Sequence, residues 1–337
     1  MIPHRSEPAS AHGSLRVRLT VVIVNYRTPL LVNECAACLK AWPAQGVAMR
    51  IVVVDNDSRD GSPAIIQAAH PDITVIEAGG NLGFASGNNL VLRTLDSGYA
   101  LLINSDALVE PGTLDGMIAA LEADDTIGVV GPRVVNVEDG ADQDYPHRFP
   151  SVMEMVRRAA RGPQYPARDQ RRPLEIERIH GACLMTRASV LHQVGLLDED
   201  FFMYDEDVDW CVRVRQAGWR LVLLPDIRVR HYGGKSSGRR PSGRRAGAPP
   251  SETSLRMRYE LRRSRYRLYR KHRGALETVL LKLLTDAALL LDSALWLARA
   301  LLSPQRGATE RRTAVAAVVR WNARIIRINP FAIDVRR

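Results

Sequence analysis

Ten consecutive residues, Phe201-Phe202-Met203-Tyr204-Asp205-Glu206-Asp207-Val208-Asp209-Trp210, place four carboxylates within five positions beside a run of aromatics. Crowded carboxylates repel one another and raise each other's pKa, which suits a general base at a substrate cleft. The same acids could instead fill the first turn of a helix, where the macrodipole favours negative charge. A second candidate is Asp106 in Ile103-Asn104-Ser105-Asp106-Ala107. An apolar run delivers this lone carboxylate to its end, where it could hold a divalent cation bridging two phosphates or simply cap a helix. Asp55, in Val54-Asp55-Asn56-Asp57-Ser58, could accept hydrogen bonds from a base or a ribose or serve turn chemistry. In the segment from Gly79 to Asn89, closely spaced glycines would let the backbone approach a diphosphate at a helix N-terminus. The dinucleotide spacing GxGxxG is absent there. His231 follows a late apolar run and could complete a metal or phosphate site, or be structural.

These residues need elements that bring them together. Leu19–Val24, Arg50–Val54, Ile73–Glu77, Ala100–Ile103 and Ile127–Val130 are short, apolar and β-branched, as buried parallel strands are. Helical patterns alternate with them at Pro29–Ala41, Ser62–Ala69, Ser86–Ser97 and Pro111–Ala123. Strand alternating with helix predicts an α/β domain with a mostly parallel sheet flanked by helices, and such sheets bind ligands beyond their strands' C-terminal ends. A less regular stretch covers Glu138 to Glu177. Beyond it, Gly181–Thr186 predicts a strand, Val208–Ala217 a helix, and Leu221–Leu224 a last strand ending at Pro225.

Composition narrows the partners. The net charge is +10 over 337 residues, yet sixteen Lys/Arg against two Asp/Glu fall between Arg228 and Arg273. The remainder is slightly acidic. A local basic run suits nucleic acid, anionic lipid or a diphosphate substrate, or a solvated face. No nucleic-acid motif accompanies it, and a nucleic-acid reading leaves the acidic cluster unexplained. Cys35 and Cys38 form a CxxC without a second ligand pair at zinc spacing, which favours packing in a helix. Met1–Arg16 has no apolar core of a signal peptide and is expected to be a disordered tail, leaving the main domain cytoplasmic.

The C-terminal third is helical by pattern. Leu276–Leu302 is strongly apolar but is interrupted by Lys282, Asp286, Asp292 and Arg299, so no uncharged run approaches the roughly 18 residues of a spanning helix. Thr313–Ile328 sets Arg320, Arg324 and Arg327 opposite Val315, Val318, Val319 and Ile326. Such helices suit a membrane surface, or a helical cap or a dimer partner. The resulting division is a tail over 1–17, an α/β domain over 18–232, a flexible basic loop over 233–253 and a helical region over 254–337.

Six motifs in order carry a resemblance: Val21–Thr28 (VVIVNYRT), Val52–Ser62 (VVVDNDSRDGS), Asn81–Asn89 (NLGFASGNN), Leu101–Ala107 (LLINSDA), Gly181–Cys183 (GAC) and Gly195–Trp219. Together they resemble family 2 glycosyltransferases with the Rossmann-like GT-A fold, especially the bacterial rhamnosyltransferase-like branch. The resemblance implies an inverting transferase with Asp207 as catalytic base and Glu206 orienting it or the acceptor. It implies Asp55 on the nucleobase, with Asn25, Asn81, Gly83, Asn88 and Asn104 lining the nucleotide-sugar donor site. Asp106 and His231 would hold Mg or Mn, with Asn-Ser-Asp standing where the branch more often has Asn-Pro-Asp. The implied donor is dTDP-rhamnose or a UDP-hexose. The acceptor would be a glycan or polyprenyl-diphosphate-linked sugar for cell-envelope polysaccharide, met peripherally on the cytoplasmic face of an anionic inner membrane. A catalytically inactive scaffold is the competing expectation, against which the Glu206-Asp207 pair argues.

Overall fold

The chain is described by a computed structural model, which covers residues 19–143, 148–161, 171–233, 251–302 and 308–332. The expected N-terminal tail (1–17) and most of the expected basic loop (233–253) lie outside the described residues. The first half alternates strictly: β1 (Leu19–Asn25), α1 (Pro29–Ala41), β2 (Met49–Asp55), α2 (Ser62–Ala69), β3 (Thr74–Glu77), α3 (Gly83–Leu92) and β4 (Tyr99–Asn104). Its strands pair in parallel in the order β3-β2-β1-β4. Alternate residues of these strands enter two different cores, because a pleated strand points successive side chains to opposite faces. Val21, Ile23, Val53 and Ile103 pack with Val32, Cys35 and Leu39 of α1. Val22, Val52, Val54 and Leu102 face Val91 of α3 and, further along the chain, Trp210. Burial on both faces is why these strands read as unbroken apolar runs. Cys35 belongs to the first core and Cys38 packs against it, both as free thiols.

The second half completes a mixed sheet of nine strands. Next come β5 (Ala107–Val109), α4 (Thr113–Ala123), β6 (Ile127–Asn136), α5 (Val152–Arg161), β7 (Leu174–Glu175), β8 (Cys183–Arg187), α6 (Ala188–Val194), α7 (Glu206–Gln216) and β9 (Arg220–His231). The sheet continues from β4 as β8-β6-β9-β5, with β7 pairing on β9. Here β6 and β9 are parallel, while β8 and β5 run antiparallel to their neighbours.

Several elements depart from expectation. The last strand does not stop at Pro225: the register steps from Pro132↔Leu224 to Arg133↔Arg228. Pro225-Asp226-Ile227 therefore bulge out, where a residue without an N–H is tolerated, and pairing resumes to His231. The third helix starts at Gly83 rather than Ser86, with Asn81 Oδ1 accepting from Gly83 N at 3.3 Å. It ends at Leu92, where the Thr94 hydroxyl donates to Val91 O. The seventh helix starts at Glu206, two residues early. The GAC strand begins at Cys183, because 180–182 form a turn.

After residue 250 come α8 (Glu252–His272), α9 (Gly274–Leu302) and α10 (Ala308–Ile326). Ser251 caps α8 by accepting from Ser254 N. The three helices pack on one another around Tyr266, Tyr269, Leu281 and Ile325, and around Leu255, Val318 and Trp321. The apolar face of α10 therefore points inward and its Arg320, Arg324 and Arg327 outward. The ninth helix is turned the other way. Lys282 pairs with Asp286 and donates to Ile326 O at 2.8 Å, and Asp292 accepts from Asn322 of α10 at 3.0 Å. Its polar side faces α10, leaving Leu276, Leu283, Leu290, Leu291 and Leu297 exposed. Among the described residues no helix is long and apolar enough to cross a membrane.

Candidate active site

Two chemically distinct centres lie at the ends of the central strands. The first forms because β5 pairs with β9, which sets Ala107 opposite His231 across 124 residues of chain. Asp106 is fully buried, and its Oδ1 lies 3.1 Å from His231 Nε2. The Gln143 amide N–H donates to His231 O at 2.7 Å, which leaves its Oε1 to accept from His231 Nδ1–H, also at 2.7 Å. Gln143 thereby fixes the tautomer, as partners of metal-binding histidines do. Nε2 then faces a carboxylate oxygen, an arrangement completed by a proton or by a bound cation between them. Asn104 Nδ2 approaches the same Nε2 at 3.4 Å. Asp106 Oδ2 is buried and, among the described residues, has no hydrogen-bond partner.

An orphaned carboxylate oxygen beside an oriented imidazole fits a divalent cation that keeps open positions for water and phosphate oxygens. Among the described residues no group of three or more His, Cys, Asp or Glu could hold a metal.

The second centre is the start of α7. Asp205 is the N-cap with φ +62, following Tyr204 with φ +71. This left-handed pair turns the chain so that Glu206 and Asp207 occupy the first helical positions. Gly181 N donates to Asp207 Oδ2 and Val208 N to Asp207 Oδ1, each at 2.8 Å. Burial raises the Asp207 pKa, while the Arg178 guanidinium works against the rise. Glu206 is raised well above the carboxylate range by burial and then by the Asp207 charge, and its Oε2 has no hydrogen-bond partner. Burial thus favours a proton on Glu206 more strongly than on Asp207, whose charged form Arg178 supports.

The segment 180–182 joins the centres. Gly181 holds Asp207, Ala182 O accepts from Asn104 N at 2.9 Å, and the His180 ring lies 5.9 Å from the His231 ring. Burial and then the nearby His231 drive the His180 pKa down to about 3, so it stays neutral.

The other two acids of the cluster are tied to neighbouring helices. Asp205 takes two hydrogen bonds from Arg265 of α8, at 2.6 and 2.8 Å. Asp209 takes His272 and Lys271, each at 2.7 Å, and Arg213 at 2.9 Å. Burial opposes its ionisation, yet these cations hold its pKa at about 2. Of the neighbouring aromatics, Phe201 is fully buried with Phe149, Val208 and Leu268 rather than exposed.

On the donor side the structure uses several expected residues internally. Asp55 Oδ1 accepts from Asn25 Nδ2 and from Ser58 Oγ, both at 2.6 Å, and Asp55 Oδ2 accepts from Ser58 N at 3.0 Å. Asn25 Oδ1 in turn receives Thr28 N at 3.2 Å. Asn81 receives Asn56 Nδ2 at 3.1 Å and stays exposed beside this network. Gly83 has φ +82, and a Cβ there would lie 2.0 Å from Phe202 O. Its smallness seats the glycine loop against the acidic loop, where Phe84 N donates to Phe202 O. Asn88 is buried and donates to Phe84 O. Sequence reasoning missed Gln143, His180, Arg178 and Arg265, which sit in regions without a motif signal. The Gly181 motif was visible, but not its contact with Asp207.

A family model described as glycosyl transferase family 2 matches residues 20–195. The chain belongs to this family. This family 2 glycosyltransferase is 29% identical over 245 residues to N-acetylglucosaminyl-diphospho-decaprenol L-rhamnosyltransferase of Mycobacterium tuberculosis, covering 66% of this chain and 79% of that one. It is 28% identical to the low-salt glycan biosynthesis hexosyltransferase Agl10 of Haloferax volcanii, covering 59% of this chain and 62% of that one. A mannosyltransferase of Pyrobaculum calidifontis, solved with GDP-Man and Mn2+, superposes with a TM-score of 0.54 at 20% identity, over 92% of this chain and 85% of that one. The transferase shares their GT-A fold.

Proposed function

We propose that this glycosyltransferase is an inverting enzyme that moves a sugar from a nucleotide diphosphate to a hydroxyl of a lipid-linked glycan. One observation carries the reading: Asp207 is held by Gly181 N, beside a Glu206 whose pKa burial raises well above the carboxylate range. Asp207 takes the proton of the acceptor hydroxyl as that oxygen bonds to the anomeric carbon. The bond from the anomeric carbon to the diphosphate oxygen breaks in the same displacement, and the diphosphate leaves with the electron pair. General-base help of this kind contributes about 10²–10⁴-fold. Asp106 and His231 are the residues that would hold Mg or Mn, which when bound supplies charge neutralisation for the leaving diphosphate. The Asn25–Asp55–Ser58 network and the exposed Asn81 form the donor side. Donors of the rhamnosyltransferase branch, dTDP-rhamnose first and UDP-hexoses next, fit this assignment.

The acceptor follows from two supports. The mycobacterial relative's name gives a polyprenyl-diphosphate sugar as its acceptor. The exposed leucines of α9, close to a strongly basic segment, suit an anionic membrane surface from the cytoplasmic side, in the synthesis of envelope polysaccharide. Thermal-shift screening of dTDP-, UDP- and GDP-sugars with and without Mn2+ tests the donor and the metal together. A metal-dependent rise in Tm with one nucleotide, followed by transfer to a lipid-diphosphate sugar, is the expected result. No shift with any nucleotide sugar would overturn the reading.

A further inference from the structure

The lower half of α8 is fastened to the transferase domain, cation by cation. Arg265 pairs with Asp205, Arg267 with Asp200, Lys271 with Asp198 and Asp209, and His272 with Asp209. Arg263 approaches Glu260 on the helix itself, at 3.8 Å. Arg258 and Arg262 differ. Among the described residues neither makes a hydrogen bond or an ion pair, and Arg262 is half-buried. Burial, with the charges of Arg265 and Arg258 adding to it, makes the charged form of Arg262 harder to hold. Two cations kept together in this way, one of them partly out of water, are stabilised by an anion.

Their placement says where that anion sits. Positions 258, 262 and 265 are spaced i, i+4 and i+7, so they share one face of α8. The last of them, Arg265, grips the N-cap of the helix that carries Asp207. A rise of about 1.5 Å per residue puts Arg262 and Arg258 roughly 4.5 and 10 Å farther along that face. Measured from Arg265, this offset is about the length of one sugar ring and the group beyond it. Arg178 and Arg265 have carboxylates within range, at Asp207 and Asp205. Asp205 acts on Arg262 less than burial, Tyr266, Arg265 and Arg258 do, and among the described residues neither Arg262 nor Arg258 pairs with a carboxylate.

We infer that Arg258 and Arg262 form a subsite for the diphosphate of the acceptor, one sugar away from Asp207. The inference rests on the transferase reading above and adds a charged anchor for the acceptor. Guanidinium forks suit such a group because they bind phosphate oxygens in pairs.

The test compares wild type with the double variant Arg258→Gln/Arg262→Gln on two acceptors, N-acetylglucosaminyl-diphospho-farnesol and octyl N-acetylglucosaminide. The expected result is an acceptor KM at least tenfold higher for the diphosphate substrate. The octyl glycoside and donor KM values should stay within about twofold. An equal loss on both acceptors, or none on either, overturns the subsite. Calorimetric titration with farnesyl diphosphate reads the site without turnover: it should bind wild type and fail with the variant. If wild type transfers to neither acceptor, the transferase reading fails, and the titration still decides the subsite. Pyrophosphate and phosphatidylglycerol vesicles separate the sources. Loss of vesicle binding with farnesyl diphosphate binding intact assigns the arginines to the membrane surface and refutes the proposal.

Discussion

Gly181→Ala isolates the geometry of the base from its chemistry. Gly181 does not adopt a positive φ, so its backbone accepts alanine without strain. The added Cβ would lie 2.9 Å from Asp207 Oδ2, 3.3 Å from its Cγ and 3.4 Å from its Cβ. Ordinary contact requires the carboxylate to retreat by roughly half an ångström, which breaks or lengthens its 2.8 Å bond from Gly181 N. A hydrogen bond to a charged group is worth about 1.5–3 kcal/mol. Displacing a reacting group also has a steep effect on rate. The clashing atom is the tip of a side chain, so folding should absorb the change easily while turnover should not. We expect kcat to fall roughly 10- to 100-fold, with donor KM unchanged and Tm within about 3 °C. Steady-state transfer kinetics and a melting curve suffice. A kcat within twofold of wild type would show that Asp207 is not the base, or that its position does not matter.

Four further predictions follow the same logic. Asp207→Asn should lower kcat by about 10²–10⁴-fold. In wild type kcat/KM should rise with pH as Asp207 deprotonates, above the usual carboxylate range, and Arg178→Gln should move that limb further up. A limb near pH 4 in both proteins would contradict the assignment. Asp106→Ala should abolish Mn2+-dependent donor binding in calorimetry, and an unchanged metal titration would exclude Asp106 as a ligand. Asp209 has a pKa lowered from 3.8 to about 2, which corresponds to roughly 2 kcal/mol. That stability is fully present above pH 4 and is lost as pH falls through 2, so Asp209→Asn should unfold earlier in urea at pH 7. The gap should narrow towards pH 2, and a gap that is constant with pH would refute the linkage.

The strands of the first half were legible because residues such as Val21 to Val24 are covered on both faces and leave an unbroken apolar signature. The short β5 was not, since three residues carry no periodicity, yet it alone brings His231 to Asp106. Pro225 misled because a proline marks a strand end as readily as a bulge, and only the pairing partner decides between them. The acidic cluster was visible as chemistry, but its division was not. Asp205 and Asp209 look like Glu206 and Asp207 in sequence and differ chiefly through Arg265, Lys271 and His272, some sixty residues away, with Arg213 adding to Asp209. Asp55 was ambiguous for a related reason: its hydrogen bonds to Asn25 and Ser58 are tertiary facts. The apolar character of α9 and α10 was equally plain, but which of them turns its leucines or valines outward depended on how they pack.

The family match ends at residue 195, and Asp207, His231 and the cations of α8 all fall beyond it. The conserved-looking unit is thus not a portable one. A chimera that swaps the matched segment between two family members would combine one parent's proposed donor side with the other's proposed base. A truncation behind β9 would strip Arg265 from Asp205 and leave Asp209 with Arg213 in place of three partners. The natural seam for exchanging the last two helices lies after Arg273, whose guanidinium stacks on Phe149, and grafts cut there should keep Arg265, Lys271 and His272 on the acidic loop.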